Sequence, residues 1–188
     1  LGYSKKIVYR NKAKLNDDIY VTGNIGDSYI GLQILKNKIT VNKKISNFFI
    51  KKYFHPELQI KLTNHLLKFA NTSIDISDGL IGDLEKMINR QNFSFLIKEN
   101  KIPISLNLKK LISKKKLKKI NTVTNGDDYQ ILFTASLNKS RIIKRISKKL
   151  GIKITKIGKI ISGKKKSSII DVKGKQIKAI NNAYKHEF

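Results

Sequence analysis

The chain contains no cysteine and no tryptophan, a single methionine, two prolines and only 13 acidic side chains against 40 lysines and arginines. Without cysteine there is no disulfide framework, no thiolate metal site and no cysteine nucleophile, a pattern that suits a reducing compartment. No apolar run approaches the roughly 20 residues that a membrane-spanning helix needs, and the opening LGYSKKIVYR lacks the apolar core of a signal peptide. The expectation is a cytoplasmic protein with no membrane partner. A length of 188 residues with 40% hydrophobic content is enough for one compact domain. The chain opens on Leu1, and residues 1–16 read as the tail of a preceding segment, followed by a domain over 17–188.

The shortage of acids leaves a formal net charge of +27. Such a charge invites a basic nucleic-acid-binding module, because lysine and arginine that neutralise phosphates gain from counterion release. The basic residues, however, are nearly all lysine, scattered over the whole chain among abundant isoleucine and asparagine. An AT-rich coding sequence produces this composition, and lysine is then the default solvated residue. Nucleic acid is therefore the alternative reading and not the leading one.

Against this background the stretch NTSIDISDGLIGDLEKM (71–87) stands out, with Asp75, Asp78, Asp83 and Glu85 close together. Ile74 and Ile76 alternate with Asp75 and Ser77, as in a short buried strand over 73–77. Asp78-Gly79 then turns the chain into a helix over 79–92 whose stripe is Leu80, Leu84, Met87 and Ile88. Two carboxylates and a hydroxyl thus gather where a strand ends and a helix begins. Oxygen donors suit Mg²⁺, which takes one or two carboxylates and shares its other positions with water and phosphate. A helix N-terminus adds free N–H groups for an anion. The plainer alternative is that Asp78 or Ser77 merely caps the helix. Asp83 and Glu85, further along, read as surface charges.

The remaining chain alternates between the two periodicities. DDIYVTG (17–23) is a strand closed by glycine, and NIGDS leads into a helix from Tyr29 with Asp27 or Ser28 as its N-cap. A glycine turn there can cradle phosphate, but the signal is weak and a plain tight turn is the preferred reading. Helices follow over 43–56, 57–71, 106–119 and 139–151, with Leu58, Leu62 and Leu66 on one face of the second. Phe93, Phe95 and Ile97 mark a strand, as do 129–135, 152–162 and 167–180. NGDD (125–128) reads as a hairpin turn; the alternative is a second acidic cluster lining the same pocket as Asp78. His55, His65 and His186 show no ligand spacing. The fold class expected is α+β: a mixed α/β sandwich with helices packed on a β-sheet.

Taken together, RNKAKLNDDIYVTGNIGDSYIGLQIL, HPELQIKLTNHLLKFANTSIDISDGLIGDL, NGDDYQILFTAS and the tail AYKHEF resemble the thiamine-monophosphate kinase family, from about Arg10 onward. The resemblance is to the second half of that enzyme, a domain shared in fold with aminoimidazole ribonucleotide synthetase. It implies ATP- and Mg²⁺-dependent phosphorylation of thiamine monophosphate to thiamine diphosphate by a homodimer. By the same resemblance, Asp75 and Asp78 are magnesium ligands, Ser77 and Arg10 contact ATP, and Asp127 and Tyr184 contact the thiamine substrate. The family has glutamate where Asp127 stands. Its tail has a glycine that AYKHEF lacks, so Tyr184 matches a displaced pattern. The first half, with its own Asp-rich motifs, has no counterpart here, and the isolated chain is expected to show little or no kinase activity. Another phosphate chemistry on the same fold is a further alternative.

Overall fold

The structure is a computed structural model that describes residues 6–177. Seven strands form one sheet: β1 (Asp18–Thr22), β2 (Thr72–Asp75), β3 (Phe93–Lys98), β4 (Ile131–Ala135), β5 (Ile154–Ser162), β6 (Ser168–Ile170) and β7 (Gln176–Ile177). Their order is β2-β4-β1-β5-β3-β6-β7, antiparallel throughout except between β3 and β6. Seven helices accompany them: α1 (Asp27–Leu35), α2 (Lys43–Phe54), α3 (Ile60–Leu66), α4 (Leu80–Ile88), α5 (Leu106–Lys115), α6 (Lys119–Val123) and α7 (Ser140–Leu150). None of the described helices is long and apolar enough to cross a membrane.

Because side chains alternate along a strand, β1 sends its residues to two cores. Ile19 and Val21 meet Leu80, Leu84 and Met87 of α4 in the larger cluster. Tyr20 points the other way, onto Leu62 and Leu66 of α3 and Ile143 and Ile146 of α7. There it stacks on Phe133, its register partner in β4, with ring centroids 5.2 Å apart. A third cluster joins α1, α2 and α5 through Ile30, Phe49, Leu108 and Leu111. Gly31 permits the close approach of α1 to α2, since a Cβ there would lie 2.3 Å from the Phe49 carbonyl oxygen. Near the start of the described chain, Tyr9 accepts a hydrogen bond from Thr72 Oγ1 at 2.7 Å, and Asn16 N–H donates to the Ile160 carbonyl at 3.1 Å.

Several elements differ from the expectations. The helix expected over 57–71 is the shorter α3, and Leu58 is exposed. Residues ahead of it are claimed by the sheet side: Gln130 Nε2 donates to the Glu57 carbonyl at 2.9 Å, holding that segment out of the helix. The basic helix expected over 106–119 breaks at Lys116, which adopts a left-handed φ of 52°, so that Leu117 turns into the third cluster and α6 starts afresh. The helix expected over 79–92 stops at Ile88, ahead of left-handed Arg90 and Asn92. The strand around Ser73–Asp75 lies at the sheet edge, pairing with β4 alone, and is only partly buried.

Candidate functional site

Edge strand β2 delivers Ser77 and Asp78 to the turn before α4. Gly79 is the N-cap of that helix, at φ 106°, and no side chain caps it, so neither Ser77 nor Asp78 plays the capping role. The turn is shaped from inside the helix instead. Asp83, fully buried, accepts from the backbone N–H groups of Ser77 and Asp78 through one oxygen, both at 2.9 Å. Its other oxygen accepts from Lys86 Nζ at 3.0 Å, and Lys86 also donates to Asp78. The reading of Asp83 as a surface charge is thus overturned, while Glu85 is exposed as expected. The sequence held a signal for this: Asp83 lies three residues after Leu80 and four before Met87, on the buried stripe of α4.

NGDD is not a hairpin turn. Residues 125–130 run from α6 into β4 as an irregular segment laid along the Ser77 turn. Asp127 N–H donates to the Ser77 carbonyl at 3.0 Å, Tyr129 N–H donates to the Ile76 carbonyl at 2.9 Å, and Ile76 N–H donates back to Gln130 at 2.9 Å. Asp127 and Tyr129 take positive φ values of 67° and 49°, which delays the start of the strand to Ile131. The alternative of a second acidic segment beside the first is the one that the geometry realises.

Together these segments and α1 enclose a cavity of about 400 Å³, with Ser77, Asp78 and Asp127 on one side and Tyr29, Gln33 and Lys36 on the other. Burial raises the Asp127 pKa above the usual carboxylate range, and the neighbouring Asp78 charge adds to the rise. The Asp83 pKa is raised as well, by burial, against the opposing effect of its hydrogen bonds from Lys86 and from the backbone. Asp75 is exposed at the end of β2 and does not line this cavity. Arg10 is exposed in the turn after Tyr9, beside the opposite end of β2, and is likewise absent from the lining. Tyr184 lies outside the described residues.

The glycine turn before α1 is occupied from within. Gly26 is the N-cap, displacing the expectation of Asp27 or Ser28, and its N–H donates to Asp128 Oδ2 at 2.8 Å. A buried carboxylate therefore sits where a phosphate cradle was conceivable, and burial raises the Asp128 pKa well above normal. Asp27, also buried, accepts from Ser105 Oγ at 2.7 Å. Burial pushes its pKa up to about 6 from 3.8, against Ser105, Lys52 and Lys153, which lower it. A raised folded pKa means that the favourable contribution is present below pH 3.8 and is lost as pH rises through about 6. Asp27→Asn keeps the Ser105 contact and removes the buried charge. It should be more stable than the parent by about 2–3 kcal/mol at pH 8, with the gain gone at pH 3.5, as read from urea unfolding at the two pH values.

The donors at the cavity are hard oxygens: two carboxylates and the Ser77 hydroxyl. Among the described residues, no group of three or more histidine, cysteine or acidic side chains is placed to hold a metal ion by itself. The arrangement fits a Mg²⁺ ion shared between one or two carboxylates and the oxygens of a phosphate-bearing ligand, and does not fit an all-protein cage.

No family model matches the chain. It is 40% identical over 154 residues to the thiamine-monophosphate kinase of Buchnera aphidicola subsp. Acyrthosiphon pisum, spanning 80% of this chain and 47% of that protein. The crystal structure of the thiamine-monophosphate kinase from Stenotrophomonas maltophilia superposes with a TM-score of 0.76 at 25% identity, covering 90% of this chain and 54% of that one. A structure of AaThiL complexed with AMPPCP and TMP superposes with a TM-score of 0.74 at 29% identity, covering 91% and 52%. The chain thus spans about half the length of the relatives it matches. Its sheet and the helices on it form a mixed α/β fold of the aminoimidazole ribonucleotide synthetase-like class. Over the half of their length that it spans, the chain is similar in sequence and in fold to the thiamine-monophosphate kinases.

Proposed function

We propose that this chain provides one half of an enzyme that phosphorylates thiamine monophosphate to thiamine diphosphate at the expense of ATP, and that the cavity beside Ser77 and Asp78 takes part in that transfer. The observation that carries the reading is the meeting of two separate acidic segments, at Asp78 and at Asp127, on one cavity in a chain 40% identical to a kinase of this family. The complex of AaThiL with AMPPCP and TMP supports a nucleotide and a phosphate ester as ligands. Because the chain spans about half of its relatives, turnover is proposed for this half joined to the remainder.

The transfer forms a bond between the γ-phosphorus of ATP and an oxygen of the substrate phosphate while the bond to the β-phosphate oxygen breaks, so ADP leaves. Two anions must be held in line, and positioning with charge neutralisation supplies most of the catalysis. Mg²⁺, when bound, neutralises the charge that develops on the phosphoryl oxygens. Asp78 is the cavity carboxylate that would hold it, with Asp75 as a second ligand supplied from the strand end. Ser77 and Arg10 are assigned to ATP, and Asp127 and Tyr184 to thiamine monophosphate. Asp127 has a side chain one methylene shorter than the family's glutamate, but its left-handed backbone sets it against the Ser77 turn at the cavity wall.

This placement is tested by titrating the ¹⁵N-labelled chain with AMPPCP, Mg²⁺ and thiamine monophosphate. Amide shifts are expected at Ser77, Asp78, Gly126 and Asp127 and on the Tyr29–Gln33 face of α1. Shifts confined to other surfaces, or no shift at millimolar ligand, would remove the cavity from the account.

A further inference from the structure

We propose that Lys86 is a positioning residue of this site: a tethered cation that bridges Asp83 and Asp78 and holds the Asp78 carboxylate on the turn until a soluble divalent cation takes its place. The inference rests on reading Asp78 as a cation-holding carboxylate. Three charges meet here with different freedom. Asp83 is fixed, because its side chain is fully buried and one oxygen is committed to the N–H groups of Ser77 and Asp78. Asp78 is only partly covered, at 26% side-chain exposure, and Lys86 is the most open of the three, at 42%.

The helix supplies the geometry. Lys86 follows Asp83 by three residues on α4, which puts the two side chains on neighbouring positions of one face, and the long lysine stem then reaches back past the N-cap to Asp78. Desolvation works against the ammonium, but its hydrogen bonds to Asp78 and Asp83 outweigh it and keep Lys86 charged. An ion pair of this exposure contributes little to stability. Its consequence is local: with the ammonium withdrawn, Asp78 and Asp83 face each other without a counter-ion, close to Asp127 at the cavity. The partly exposed Asp78 carboxylate, left without its counter-ion, then attracts a divalent cation more strongly than the bridged state does. Lys86 therefore competes with metal for Asp78, and its own flexible stem lets it leave at small cost.

The test uses Mn²⁺ alone as a paramagnetic probe on the ¹⁵N-labelled 188-residue chain, following broadening of the Asp78 and Gly79 amides. In Lys86→Met, which keeps the apolar stem and removes the charge, the Mn²⁺ midpoint should fall about five- to tenfold. Lys86→Arg should stay within about twofold of the parent, and raising the ionic strength should narrow the gap between Lys86→Met and the parent. Unchanged amide shifts away from residues 77–87 would establish that the variants keep the fold. Broadening at Asp78 with the same or a higher midpoint in Lys86→Met overturns the role of Lys86 alone. No broadening at Asp78 in any of the proteins overturns the reading of Asp78 on which it rests.

Discussion

Gly126→Ala is expected to lower the stability of the chain by about 3–5 kcal/mol and to dismantle the cavity wall, a loss comparable with the whole margin of some domains. A Cβ on Gly126 would lie 1.8 Å from the Ser77 carbonyl oxygen, 2.7 Å from its carbon and 3.0 Å from Asp78 Cα. All three are backbone atoms, so no flexible side chain can give way. The 125–130 segment has to withdraw, and with it go the hydrogen bonds from Asp127 to Ser77 and from Tyr129 to Ile76. Gly151→Ala provides the comparison. Gly151 has a left-handed φ of 66° but nothing within 4 Å of its would-be Cβ, so only backbone strain is incurred, about 1–2 kcal/mol. Urea unfolding of the two variants separates the contributions. Equal losses would mean that the tight contact between Gly126 and Ser77 does not hold the site together.

That contact also explains how far the sequence could be read. The local signals worked where the structure is local. The β-branched run of β1, its glycine stop and the following helix were legible, as were the α4 stripe and the Ser77–Asp78 turn. Asp78 and Asp127 could be suspected of sharing a pocket because both stand out in a lysine-rich chain. Non-local contacts were invisible. Nothing in NGDD announces that its backbone pairs with residues 76–77 rather than folding into a hairpin, because the carbonyls that claim its N–H groups lie some fifty residues earlier. The capping of α1 by Asp128 is of the same kind: composition marks Gly26 as a turn but cannot say that a carboxylate from beyond α6 will fill it. Asp83 is different. Its position between Leu80 and Met87 places it on the buried face, which spacing marks and charge alone does not. The break at Lys116 had no cue, since lysine rarely adopts a left-handed backbone and does so here to bring Leu117 into the third cluster.

The second large effect concerns chemistry. In a protein that joins this chain to the half of the Buchnera aphidicola relative that it does not span, Asp78→Asn should reduce phosphorylation of thiamine monophosphate by about 10²–10³-fold. The expectation follows from position: Asp78 lines the cavity, is only partly covered and raises the pKa of Asp127 from nearby. The amide of asparagine retains the shape and an acceptor for Lys86 but removes the negative charge. Folding should be little affected, because Asp83, and not Asp78, ties the turn to α4. Asp75→Asn provides the companion measurement, since Asp75 is exposed outside the cavity lining. A loss of similar size there would show that the strand end joins the site when ligands are bound.

The most direct measurement is therefore the rate of thiamine diphosphate formation from ATP, Mg²⁺ and thiamine monophosphate by this joined protein and its Asp78→Asn form, with their melting temperatures compared. Turnover is expected from the parent, with a loss of about two orders of magnitude or more in the variant at an unchanged melting temperature. A folded Asp78→Asn protein that forms thiamine diphosphate at the parental rate would contradict this expectation.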